Sequence, residues 1–212
     1  MTGRLLQERG TMPFLKRLMR SPAVLALVAT QVVLFVAGTL NPVIWDVLSL
    51  PGDVAGLVDR PWSPLTVMFV HANVAHLAVM VLMLAAFGPL LEQVARSWAV
   101  LAVYLTAGLA GSFAVMAVVQ AFETDGSLMG SSAAVFGVAA AVLALDPSAR
   151  VFGGKATQWL GVLVAVNIAF LLSQPLGSVA HLAGLAVGVA YGRWVVRRQR
   201  EPVEEHAKAR TT

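Results

Sequence analysis

Ser132 and His181 are the side chains in this sequence best suited to make a nucleophile. Ser132 lies in Gly130-Ser131-Ser132-Ala133-Ala134-Val135-Phe136-Gly137, and His181 in Ala180-His181-Leu182-Ala183-Gly184-Leu185-Ala186-Val187-Gly188. A serine hydroxyl alone is a weak nucleophile. An imidazole within hydrogen-bond reach takes its proton as general base and returns it to the leaving group as general acid. Ser131 is a neighbouring hydroxyl. Two further histidines, His71 and His76, stand five residues apart, and a fourth, His206, lies in a charged segment where solvation explains it. Metal binding by His71, His76 and His181 is the competing use. On a continuous helix the first two would point about 140° apart, and no carboxylate joins them. With no cysteine in the chain, thiolate sites are excluded as well. The expectation is no metal and no cofactor.

These residues must be positioned by membrane helices. The chain has 212 residues, of which 58% are hydrophobic and only 12% charged, with a mean hydropathy of +0.78. A soluble core does not need so little charge. Six apolar stretches approach the roughly 20 residues that cross a bilayer, at roughly 22–40, 74–91, 98–120, 132–146, 157–173 and 179–196. The fold class is therefore all-α, a polytopic six-helix membrane bundle. The net charge of +4 does not point to nucleic acid, because the basic residues flank the spans. Arg4, Arg9, Lys16, Arg17, Arg20, Arg96, Arg150, Lys155, Arg193, Arg197, Arg198, Arg200, Lys208 and Arg210 fall on one side of a six-span topology, and only Arg60 on the other. The positive-inside rule then makes both termini cytoplasmic, in a cell (plasma) membrane.

Residues 1–21 read as a basic cytoplasmic tail and 22–198 as the membrane domain. Residues 199–212 read as an unstructured cytoplasmic tail near anionic lipid. The stretch from Pro22 to Leu40 is longer than a signal-peptide core, so an uncleaved first helix is expected. Residues 41–70 form an outer connection that interleaves apolar residues with Asp46, Asp53 and Asp59 and is broken by prolines. It is expected to lie in the outer interface, anchored by Trp45 and Trp62.

Spans two, four and six run in the same direction, so His71, His76, Ser132 and His181 share one level in the outer leaflet. Polar groups at membrane depth are costly, and function is their default explanation. On span six, His181, Gly184, Leu185 and Gly188 share a face. Gly184, Gly188 and Gly192 form a small-residue stripe. Span four, with Ala133, Ala134, Gly137, Ala139, Ala140 and Ala141, is almost bald. Close approach of the two would bring Ser132 within reach of His181, and Phe136, one turn below Ser132, would stack on the imidazole. Asp146, Glu92, Glu123 and Asp125 fall at or beyond span ends. No carboxylate is then available to orient His181, and a dyad rather than a triad is expected. The first turn of span four offers unpaired N–H groups to an oxyanion, and His76 a side-chain donor. Gln31, Thr106, Ser112 and Asn167 are uncharged and scattered. Helix–helix hydrogen bonds explain them better than a transport path does.

At these residues the chain resembles the rhomboid family of intramembrane serine proteases, in the six-span core form found in bacteria. Gly130-Ser131-Ser132 with Ala134, Phe136 and Gly137 is similar to the family's GxSG-type motif. Ala180-His181-Leu182-Ala183-Gly184 with Gly188 is similar to its AHxxGxxxG motif. Leu65-Thr66 to Phe69-Val70-His71, then His76, resembles its second-helix entry, and Trp62 the tryptophan of its WR pair. The resemblance implies Ser132 as nucleophile, His181 as base, His76 as oxyanion donor and His71 as a structural residue beside the site. It also implies membrane-spanning protein substrates that enter laterally near the second and fifth helices. The chain departs from the pattern at three places. Met80 stands where the family has an asparagine, Ala133 where it has the glycine after the serine, and Ser63 where it has the arginine of the WR pair. Asn73 is a nearby amide. A rhomboid-like protein that binds transmembrane clients without turnover is the alternative.

Overall fold

The computed structural model describes residues 13–122 and 128–208. After a short helix α1 (Phe14–Met19), α2 runs over Pro22–Leu40 with its proline at the first turn, where the missing N–H costs nothing. Three short helices follow, α3 (Val43–Leu48), α4 (Val54–Asp59) and α5 (Ser63–Thr66), then a 3-10 turn over Val67–Phe69. The long helices are α6 (Val74–Ala95), α7 (Ser97–Phe122), α8 (Ser132–Leu145), α9 (Ala156–Ser173) and α10 (Pro175–Lys208). Between α8 and α9, the two-residue strands β1 (Arg150–Val151) and β2 (Gly154–Lys155) pair antiparallel. Phe152 and Gly153 both have positive φ, as a tight two-residue hairpin turn requires.

Pro22–Leu40, Val74–Ala95, Ser97–Phe122 and Pro175–Arg198 are long and apolar enough to cross a bilayer; α8 and α9 are shorter apolar helices. At 14 residues, α8 is about 21 Å long, well short of a hydrocarbon core of about 30 Å. It is the centre of the bundle, with every residue from Ala133 to Val142 buried. Small residues make that possible. A Cβ on Gly184 would overlap the Ala133 carbonyl, one on Gly188 the Gly137 carbonyl, and one on Gly192 would meet Ala144 and Ala141, so α10 lies backbone to backbone along α8. Gly108 and Gly111 of α7 face Ala134 and Ala133 on the adjoining side. By contrast α9 buries Leu163 and leaves Leu160, Val162, Val164, Ile168, Leu171 and Leu172 exposed, a surface suited to lipid.

Several expectations are corrected. Helix α10 runs on to Lys208, so the chain is helical where an unstructured tail beginning at 199 was expected. Helix α6 ends at Ala95 rather than 91, which brings Glu92 inside it as a buried carboxylate. Glu92 accepts from Ala23 N at 3.0 Å, Val24 N at 3.2 Å and Ser97 Oγ at 2.6 Å. It therefore caps the positive end of α2, where an anion is stabilising. Arg17, which lies in the stretch read as a basic cytoplasmic tail, is buried, and that burial lowers its pKa. Glu123 and Asp125 lie outside the described residues, as do Arg4, Arg9 and Arg210.

The connection over 41–70 is a compact structure. The Arg60 guanidinium donates to the Asp46 carbonyl, Trp62 Nε1 to Val47 O at 3.0 Å and Thr66 Oγ1 to Leu48 O at 2.8 Å. Trp45 packs over Gly38 of α2 and against Phe35. Leu50 pairs with Leu128 through two main-chain hydrogen bonds of 3.1 and 3.3 Å. That isolated bridge braces the segment leading into Ser132.

Candidate active site

The segment entering α8 has a geometry that only glycine meets. Gly130 has φ of +133°, and a Cβ there would overlap the His76 ring. Its N–H donates to Val67 O at 3.2 Å, tying the entry to the 3-10 turn. Ser131 follows as the residue before the first helical turn, and Ser132 opens α8.

The two serines face different surroundings. Ser131 is fully buried, with Oγ 2.9 Å from His71 Nε2 and 3.1 Å from Gln31 Oε1. The order of this chain follows from counting hydrogens. Gln31 Nε2 donates to Leu27 O at 3.3 Å, so Oε1 is the acceptor end. The single hydroxyl hydrogen of Ser131 goes to Gln31, and His71 Nε2 must carry the proton that Ser131 accepts. Both hydroxyl roles of Ser131 are thus occupied, and one element from each of α2, the loop before α6 and the start of α8 is held together. Nearby, Tyr104 of α7 donates to Met68 O at 2.7 Å.

Ser132, half-buried, faces a cavity of about 620 Å³ instead. His76, Met80, Phe136 and His181 line the same space, with Asn73, Val79, Met129, Val166 and Gln174 among the other walls. Among the described residues, no Asp, Glu, Lys or Arg lines it. His181, in the second turn of α10, is buried. Its ring lies flat on Phe136, with centroids 4.1 Å apart and an interplanar angle of 13°. The spacing that puts Phe136 one turn below Ser132 delivers this contact because Gly184, one turn below His181, lets the helices close.

His71 and His76 do not diverge as a continuous helix would make them. Helix α6 starts only at Val74, with Asn73 Oδ1 capping it by accepting His76 N at 2.9 Å. His71 sits in the turn before it, and the two rings meet edge to face at 5.1 Å. Among the described residues no three His, Asp or Glu side chains gather as metal ligands. Met80 is buried and forms the wall one turn beyond His76. Of the scattered polar residues, Ser112 donates to Pro64 O at 2.9 Å and Thr106 to Ala102 O in its own helix. Gln31 is different, because it holds the residue beside Ser132. Its signal in the sequence was an uncharged amide in mid-span, the kind of group that hydrogen-bonds between elements. Gln174 entered the cavity wall without such a signal, being an ordinary polar residue in a turn before proline.

A family model described as the rhomboid domain matches residues 58–198. Two curated proteins of Arabidopsis thaliana are similar. RHOMBOID-like protein 7 is 31% identical over 134 residues, which cover 62% of this chain and 42% of that protein. RHOMBOID-like protein 6, mitochondrial, is 28% identical over 138 residues, covering 63% and 43%. The chain spans less than half the length of these relatives.

Proposed function

The chain belongs to the rhomboid family, and from that premise we propose that it is an intramembrane serine endopeptidase acting through Ser132 and His181. Its substrates are membrane proteins cut in or near a transmembrane segment. The observation that carries this reading is the division of labour between the two serines. Ser131 has both hydrogen-bonding roles filled by His71 and Gln31, whereas Ser132 faces a cavity shared with His76 and His181.

In the proposed reaction His181 takes the Ser132 proton as Oγ attacks the scissile carbonyl. The oxyanion forms beside the first turn of α8, whose N–H groups lack intrahelical partners, with His76 as the side-chain donor. His181 then gives its proton to the leaving amine, and a water activated by the same imidazole releases the acyl group. Phe136 orients the base by stacking, the role a carboxylate fills in a triad. Helix α8 is about 9 Å shorter than the hydrocarbon core, and on this reading the Ser132 end lies below the outer surface, with water reaching it through the cavity. An ideal transmembrane helix hides its peptide bonds in its own hydrogen bonds, so small or helix-breaking residues near the outer leaflet favour cleavage. Segregation of the basic residues supports an orientation with both termini cytoplasmic. The reaction needs no cofactor.

The test is labelling of the purified, detergent-solubilised protein by a fluorophosphonate probe. Wild type is compared with Ser132→Ala, Ser131→Ala and His181→Ala. Labelling lost with Ser132→Ala and His181→Ala but kept with Ser131→Ala supports the dyad. No wild-type labelling, beside an active rhomboid labelled in the same detergent, sinks it. That result favours a client-binding protein without turnover, the second reading. Met80, buried in the wall where the family pattern has an amide, is the observation behind it.

A further inference from the structure

Two carboxamides in the cavity wall, Asn73 and Gln174, have no part in the acid–base chemistry. Resting on the protease reading above, we propose that they anchor the main chain of the unwound substrate segment, so that recognition is of an uncharged extended backbone more than of particular side chains. Asn73 has its oxygen committed, since Oδ1 accepts His76 N at 2.9 Å. That bond fixes the plane of the carboxamide and leaves Nδ2, with two N–H donors, unspent. Asn73 precedes His76 by three residues and Met80 follows it by four, so all three share one face of α6. Along the axis Asn73 lies about 4.5 Å to one side of His76 and Met80 about 6 Å to the other. The Asn73 donors are therefore offset from the oxyanion position that His76 serves, on the side where α6 begins.

Gln174 lies in the turn between α9 and α10, on a different wall. Its carbonyl accepts Ser178 N at 3.3 Å, while its exposed side chain forms no hydrogen bond with another described residue. The chemistry matches the occupant. A segment that unwinds beside Ser132 bares N–H and C=O groups, each costly if left unpaired away from water. A carboxamide presents the same donors and acceptor as a peptide group. It does so without bringing a charge into a cavity whose described walls carry no Asp, Glu, Lys or Arg.

The experiment compares wild type, Asn73→Thr, Asn73→Ser and Gln174→Ala in the 212-residue chain in detergent. Two readouts are taken: the fluorophosphonate labelling rate, and kcat/KM for a single-span substrate with glycine and proline in its outer third. Thr and Ser both cap helices without adding a charge, so the start of α6 is kept while the Nδ2 donors are lost. Loss of one main-chain hydrogen bond predicts a fall in kcat/KM of about tenfold for each variant, carried by KM. The small probe, which does not extend to the anchors, labels within about twofold of wild type on the same grounds. Unchanged kcat/KM in both Asn73 variants overturns the anchoring role. So does a parallel loss of labelling and cleavage, which would place Asn73 at the reacting centre or in the fold. Wild type that labels but cleaves nothing overturns the endopeptidase reading itself, and the anchoring with it.

Discussion

Gly184→Ala is the sharpest perturbation of the geometry that joins Ser132 to His181. The atoms nearest a Cβ at Gly184 are the carbonyl oxygen, carbonyl carbon and Cα of Ala133. All are backbone, so no side-chain rotation relieves the overlap, and α10 must withdraw from α8 by on the order of 1 Å. Overpacking of this kind costs about 1–3 kcal/mol of stability. Its chemical cost is larger, because a misplacement of about 1 Å lowers a rate by about 10²-fold, equivalent to about 2.7 kcal/mol. His181 is three residues upstream on the same face and moves with the helix. Gly192→Ala provides the control. It meets Ala144 and Ala141 of the same helix pair, but about 12 Å further along. Both variants should lower the Tm in detergent by similar amounts, while only Gly184→Ala slows fluorophosphonate labelling of Ser132, by about 10²-fold relative to Gly192→Ala. Equal labelling of the two variants, at matched folded fractions, would refute the idea that helix separation sets the dyad.

Three further outcomes are expected. Glu92→Gln replaces one carboxylate oxygen with a donor facing N–H or O–H groups, and should cost about 2–3 kcal/mol, read as a lower Tm. Labelling by the folded fraction should persist, since Glu92 is about 24 Å along α6 from His76. Gln31→Leu removes the acceptor of the Ser131 hydroxyl in a fully buried setting, and should cost about 1–3 kcal/mol in thermal unfolding; wild-type stability would show that the chain through Ser131 is idle. Met80→Asn adds an amide to the wall beyond His76 and should raise kcat by about 10- to 10²-fold, since one oxyanion donor is worth up to about 10³. An unchanged kcat would mean that His76 and the α8 amides already suffice.

The long apolar helices were legible because length and hydropathy are local properties, and α2 has the limits expected of it. The glycine stripe on α10 and the bald face of α8 were legible as a pair because each is written within one helix. What the sequence hid was long-range. Nothing near Glu92 says that it caps a helix sixty-nine residues earlier, counted from its bond to Ala23. Nothing near Leu50 says that it braces the entry to Ser132. The separation inferred for His71 and His76 failed for a local reason: Asn73 starts the helix between them, so the periodicity of α6 does not apply to His71. Asn73 itself is an ordinary capping residue by pattern, and its place in the cavity depends on where α8 and α10 sit.

The arrangement of polar groups also bears on the choice between turnover and passive binding. A cavity that only holds a client's helix has no use for the close approach of Gly130 to the His76 ring, because a small residue in ordinary backbone would line it as well. Nor does it require Ser131 to be locked by His71 and Gln31, since a free hydroxyl in an apolar cavity would hold a client's carbonyl better than a committed one. Burying His71, Ser131 and Gln31 together costs desolvation that their mutual hydrogen bonds only offset. That expenditure makes physical sense if its product is direction. It fixes the main chain at Gly130 and Ser131, and with it the first turn of α8, which carries Ser132 and its open N–H groups beside the cavity that His76 and His181 also line. Binding tolerates errors of an ångström in such a feature, whereas nucleophilic attack does not. On the reading proposed above, Met80 lowers the number of side-chain donors there without disturbing that placement, and the expected outcome is a slow protease.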